Sequence, residues 1–288
     1  MARDVAVVTD STSSLDEGVA VERGVRIVPL QVTVGDQTFL EGHDIGPGEI
    51  AAALRQRVPV TTSQPAPHAF LEAYEAAALS GAASIVSVHL SGQLSGTVDT
   101  AQVAARDAPV PVEVVDSHTM GMGVGFAALA AAEAAGRHLP LAEVAAVARE
   151  RARRTSALFY VDTLEYLRRG GRIGAAQAFV GTALAVKPLL HLEKGSIQPL
   201  EKVRTAHKAV ARLQDLAVAS AGDEPVDVAV HHLANAARAE ELADQLRMRL
   251  PALGELVVCE VGAVIGAHVG PGLLGVIISP RQAGLTQA

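Results

Sequence analysis

Short β-branched runs alternating with alanine-rich stretches of helical length constrain this chain more than any other feature, because that alternation closes into a parallel sheet joined by crossover helices. Residues 5–9, 58–62, 84–90 and 112–115 read as strands. The last three run into turns rich in hydroxyls or glycine, SQPAP, SGQLSGT and DSHTMGMG. In open sheets of this kind ligands lie beyond the carboxyl ends of the strands, so all three turns are expected on one rim. Residues 25–34 and 37–40 flank Gly35-Asp36 and predict a hairpin added to the same sheet.

Helical patterns at 121–136 and 141–154 lead into a change of domain near 157–161, giving an N-terminal α/β domain over 1–155 and a C-terminal α/β domain over 156–288. The second half has strands near 187–192, 197–199, 226–232, 255–261 and 274–279, separated in part by helices at 205–220 and 235–250. A mainly parallel first sheet flanked by helices, followed by a mixed sheet with helices, is the expected architecture. A chain of 288 residues buries a full core without difficulty. Its net charge of −7 argues against a general nucleic-acid binder. The lone cysteine, Cys259, falls in an expected strand, which excludes an intramolecular disulfide and suits a reducing cytoplasm. MARDVAVVTD carries no basic-then-apolar leader, and no apolar run reaches the ~20 residues of a membrane span.

The turn in HLSGQLSGTVDTA is suited to a small anionic or polar group: a phosphate, an oxyanion beside a nucleophilic serine, or a carboxylate. A nucleophile elbow needs G-x-S-x-G, and the glycines here stand one residue out of register as Gly92-Gln93-Leu94-Ser95-Gly96. Ser95 with His268 and Asp10, Asp99 or Asp116 remains available as a triad in space, so a serine hydrolase of lipid esters is kept as the alternative. Gly270-Pro271-Gly272-Leu273-Leu274-Gly275 satisfies G-x-G-x-x-G, but a strand follows where the fingerprint requires a helix. No other run carries a complete nucleotide motif, so no cofactor is expected. His231 and His232, on a strand, point to opposite faces and are expected as one packed and one exposed residue rather than a metal pair. For a carboxylate, Thr62 and Ser63 on one turn, Ser95, Gly96 and Thr97 on another, and His268 in the AHVGPG loop supply neutral donors. Helix N-capping is the alternative role for Thr62 and Ser95, and the one favoured for either hydroxyl taken singly.

VVTDSTSSL, TTSQPAP, SVHLSGQLSGT, VVDSHTMGMG, YLRRGGRIG, KPLLHLEKGSIQPLEKVRT and IGAHVGPGLLG occur in that order over nearly the whole chain. Together they resemble the DegV family of bacterial lipid-binding proteins. The resemblance implies a two-domain α/β protein that buries one long-chain fatty acid, with Thr62, Ser95 and His268 on its carboxylate. It also implies the acyl-carrying subunit of a bacterial fatty acid kinase, without catalytic turnover of its own, whose separate ATP-binding subunit phosphorylates the acid for phospholipid synthesis. Transient contact with a membrane or an acyltransferase is compatible with that role. Arg172 and Arg204 match the family pattern and suit an acyl phosphate or an acidic partner surface. His89 and Leu90 stand where family members often carry small polar residues, a departure that bears on the head-group contacts. The small residues of 123–132 and 183–186 fit a lipid tunnel and helix packing equally.

Overall fold

Capping chemistry fixes where several elements begin and end. Asp16 Oδ1 accepts the amides of Gly18 at 2.9 Å and Val19 at 3.2 Å, opening the first helix. Gly24 at φ 67° closes it. The computed structural model describes residues 4–179 and 187–281. In chain order the elements are β1 (Val5–Asp10), α1 (Glu17–Arg23), β2 (Val25–Val28), β3 (Gln31–Val34), β4 (Gln37–Leu40), α2 (Pro47–Arg55), β5 (Val60–Ser63) and α3 (Pro67–Leu79). There follow β6 (Ser84–His89), α4 (Thr97–Ala105), β7 (Val112–Asp116), α5 (Met122–Gly136) and α6 (Leu141–Arg154). The rest is β8 (Ser156–Tyr160), α7 (Glu165–Arg169), β9 (Lys187–Glu193), β10 (Ser196–Val203), α8 (Ala206–Ala221), β11 (Val226–His232), α9 (Ala236–Arg249), β12 (Leu253–Glu260), α10 (Ala263–Val269) and β13 (Leu274–Pro280). Pro47 and Pro67 each stand at the start of a helix, where a missing N–H costs nothing.

These elements form two units. The first comprises residues 4–31 and Ser63–Arg154. Its sheet is wholly parallel, in the order β2-β1-β6-β7, with Val7 opposite both Val25 and Val86. Val5, Val7, Val86 and Val88 face α5 and α6, whereas Val8 and Ile85 face Phe70 and Tyr74 of α3 and Ala101 and Ala104 of α4. Period-two alternation thus gives each face of the sheet its own layer of helices. The alanines of α5 sit in the first of these cores, so the small residues of 123–132 are used in helix packing. Residues 183–186 lie outside those described.

The second unit comprises Val32–Thr62 and Thr155–Arg281. Its main sheet runs β10-β9-β8-β13-β11-β12, antiparallel except for β11 with β12. Helices α8 and α9 pack their Ala and Leu residues on it. The break in the chain path falls at Arg154, but Val32–Thr62 belongs to this unit, whereas a linear division at 155 assigns it to the first.

The expected hairpin is divided. Only Val25–Val28 joins the parallel sheet; β3 and β4 form a separate sheet with β5, in the order β4-β3-β5. Pro29, lacking an N–H, stands at the break between β2 and β3. Because β5 lies in that smaller sheet, the turn after Thr62 does not follow a strand of the parallel sheet. Two of the three turns, those after β6 and β7, thus end strands of the parallel sheet, while Gln64 of the third packs against Gly96 of the β6 turn. Among the described residues no helix is long and apolar enough to cross a membrane.

Candidate functional site

In the parallel sheet the chain steps from β1 outward to β2 on one side, and from β6 outward to β7 on the other. The order therefore reverses between β1 and β6, where open α/β sheets form a crevice beyond the strand ends. Asp10 ends β1, and β6 runs into the turn 91–97. That turn is strongly internally bonded: the Ser91 carbonyl accepts the amides of Leu94 at 2.9 Å and Ser95 at 3.1 Å. Asp116, at the end of β7, accepts the Gly92 amide at 3.1 Å. Ser95 Oγ and Thr97 Oγ1 are 2.8 Å apart. Gln64 packs against Gly96, its Nε2 lying 3.0 Å from where a Cβ on that glycine would stand. Ser63 is exposed and donates to Gln31 Oε1 at 3.2 Å. The first unit thus brings Ser95, Gly96, Thr97 and Gln64 together, and Gln64 had no sequence signal.

Capping does not explain the two hydroxyls. The cap residues of α3 and α4 are Ala66 and Gly96, neither with a side-chain cap bond. Ser95 bonds a hydroxyl, and Thr62 bonds an imidazole.

The second unit holds that other pair: Thr62 Oγ1 lies 2.8 Å from His268 Nε2. His268 stands on the last turn of α10, a correction to its placement in a loop. The run AVIGAHV between Gly262 and Gly270 forms a helix whose first turn is held by a distant residue, with Glu41 Oε1 accepting the Val264 amide at 2.7 Å. The other ring nitrogen, Nδ1, is buried without a partner. It faces Gly170, where a Cβ would lie only 2.0 Å away. Arg172 donates to the Gly170 carbonyl at 2.6 Å. Burial first, and then the charge of Arg172, push the His268 pKa down to about 4. His268 is therefore a neutral imidazole at pH 7, sharing one hydrogen with a hydroxyl. Arg204 is exposed on the bend between β10 and α8.

Sequence reasoning missed the best-bonded polar group of the first unit. Asp10 Oδ2 lies 2.9 Å from His89 Nδ1 and accepts the Leu90 amide at 3.1 Å. Asp10 Oδ1 accepts from the amide and hydroxyl of Thr12. His89 Nε2 lies 2.7 Å from Ser87 Oγ, which accepts from Tyr74 Oη at 2.9 Å. Ser87, His89 and Asp10 are ordered like a hydrolytic triad, yet all three are 0% exposed. His89 is thus an interior residue. The signal was the register: Thr9 pairs with Val88, which makes Asp10 and His89 neighbours once β1 and β6 are adjacent.

His231 and His232 are both buried, contrary to the expected packed and exposed pair, because both faces of β11 are covered. His231 Nδ1 lies 3.3 Å from Cys259 Sγ on β12. Burial drives these two pKa values apart, His231 to about 4 and Cys259 to about 12. The G-x-G-x-x-G run turns through Gly270 and Gly272, both at positive φ, into β13, so it has a strand where a dinucleotide fingerprint has a helix.

The family model described as an uncharacterised protein of the DegV family matches residues 4–281. A DegV domain-containing protein of Streptomyces coelicolor is 59% identical over 281 residues, covering 98% of this chain and all of that one. The solved structure described as fatty acid binding of a DegV family protein from Thermus thermophilus superposes with a TM-score of 0.91 at 36% identity, covering 96% of this chain and 100% of that chain. DegV from Bacillus subtilis, described as a fatty acid binding protein, superposes with a TM-score of 0.89 at 32% identity, covering 97% and 100%.

Proposed function

Because this chain belongs to the DegV family, we propose that it binds one long-chain fatty acid and presents it to a separate ATP-binding kinase subunit, which forms the acyl phosphate. The observation that carries the reading is the likeness, over almost its whole length, to the Thermus thermophilus protein described as binding fatty acid. Thr62 and His268, and separately Ser63, Ser95, Gly96 and Thr97, are the proposed carboxylate donors. Neutral hydroxyls and an imidazole suit a carboxylate, which accepts several hydrogen bonds and donates none. Arg172 and Arg204 are proposed to meet the acyl phosphate or the kinase subunit, and the cytoplasm is the proposed setting.

Sequestration of the acyl chain has a simple driving force. Each buried methylene contributes about 0.8 kcal/mol, so some fourteen give on the order of 11 kcal/mol before ordering costs. The head group adds less, at about 1.5–3 kcal/mol for each hydrogen bond to a charged acceptor. Calorimetric titration with palmitate and palmitate methyl ester separates the two contributions. Thr62→Ala and Ser95→Ala are each expected to weaken palmitate by about 10- to 100-fold, while ester binding stays within twofold. Equal loss for acid and ester would refute the assignment of these hydroxyls to the carboxylate.

A further inference from the structure

We infer that His89, with Asp10, Ser87 and Tyr74, is a positioning relay that sets the turn 91–97 from beneath. The head-group consequence rests on the fatty-acid reading above; the geometry does not.

The direction of the relay follows from counting hydrogens. Tyr74, whose pKa burial pushes up to about 12, keeps its hydroxyl hydrogen and gives it to Ser87 Oγ. Asp10 takes the amide and hydroxyl of Thr12 on one oxygen, and the Leu90 amide on the other. The remaining acceptor direction of that second oxygen faces His89 Nδ1, so Nδ1 is the donor there. Ser87, already accepting from Tyr74, then has one hydrogen left, and His89 Nε2 at 2.7 Å is there to accept it. The chain Tyr74 to Ser87 to His89 to Asp10 is satisfied at every atom with the imidazole as its Nδ1–H tautomer. Phe70 holds the ring edge-on at 4.9 Å.

The relay ends on the turn. The Asp10 oxygen that takes His89 also takes the Leu90 amide, and Ser91, the next residue, carries the carbonyl that binds the amides of Leu94 and Ser95. Ser95 is therefore two hydrogen-bonded steps from Asp10. Deep burial rules out the triad-like alternative, since a 0% exposed Ser87 that already accepts the Tyr74 proton offers no path to an ester. A relay of this kind is strong when complete and costly when broken.

The test pairs a removal with a conservative replacement. His89→Leu leaves Asp10 short of a donor, whereas His89→Asn places an amide N–H near the position of Nδ1. In ligand-free protein, amide hydrogen exchange at Leu90 and Ser95 is expected to accelerate at least tenfold in His89→Leu and to recover in His89→Asn. Tyr74→Phe, which keeps the packing, is expected to give a smaller acceleration at the same amides. With palmitate, His89→Leu is expected to weaken binding about tenfold, the loss disappearing in a Ser95→Ala background because both changes act through one hydroxyl. Unchanged exchange at Leu90 and Ser95 would overturn the relay, as would an Nε2–H tautomer of His89 by nitrogen NMR. If exchange behaves as stated but no variant alters palmitate affinity, the relay stands and the carboxylate reading for Ser95 fails.

Discussion

Gly170→Ala is the sharpest single perturbation of the second unit. The added Cβ would stand 2.0 Å from His268 Nδ1, 2.7 Å from Cε1 and 3.3 Å from Cγ, against ordinary contacts beyond 3.4 Å. The ring must retreat by more than an ångström, which strips His268 Nε2 from its 2.8 Å bond to Thr62. Overpacking costs about 1–3 kcal/mol and the lost hydrogen bond about 1 kcal/mol. Backbone strain adds nothing, because Gly170 sits at φ −75° and ψ −6°, where alanine normally stabilises by about 0.4–1 kcal/mol. The clash therefore decides the sign, with a net loss of about 1–3 kcal/mol. Urea unfolding followed by circular dichroism reads this as a lowered midpoint at constant slope. His268→Ala in the same chain removes the clashing ring, so the double variant should recover part of the loss relative to the sum of the singles. A Gly170→Ala protein as stable as the parent, or a double variant with strictly additive losses, would refute the reasoning.

Acid should weaken the fold through two histidines. His231 and His268 are held at about 4, against about 6.5 when unfolded. Their folded pKa values are depressed, so the unfolded chain takes up the protons first: stability is intact above pH 6.5 and falls as the pH drops towards 4. Each contributes up to about 3 kcal/mol to that loss, and urea midpoints across this window should flatten when both are replaced by glutamine. Cys259, its thiol pushed up to about 12, should alkylate about 10³-fold more slowly in the folded protein than in urea; equal rates would place it outside the buried β11–β12 contact. Arg212 clasps Glu201 through two nitrogens at the surface, and Arg212→Ala should leave the urea midpoint essentially unchanged in the same unfolding assay, because solvent screens an exposed pair.

Strands β1, β6 and β7 of the parallel sheet were legible because β-branched runs and alanine-rich helices alternate there, although Val32–Thr62, inserted between β2 and α3, belongs to the other unit. Helices α5, α6, α8 and α9 fall close to their expected bounds for the same reason. Sheet membership was not legible for Gln31–Leu40 and β5, since alternation specifies a strand without naming its neighbours. Only Pro29 hinted at the break. His268 was found as a residue but misplaced as a loop, because α10 is short and is capped by Glu41, 223 positions away in sequence. The relay needed strand order before Asp10 and His89 could be seen as neighbours. Gln64 against Gly96 is a tertiary contact with no local pattern behind it.

Native mass spectrometry of the purified protein, followed by denaturing extraction, tests the central claim most directly. The account expects one noncovalently held equivalent of a C16 to C18 fatty acid, released intact on denaturation. A protein that emerges empty and stays empty when offered fatty acids would contradict it.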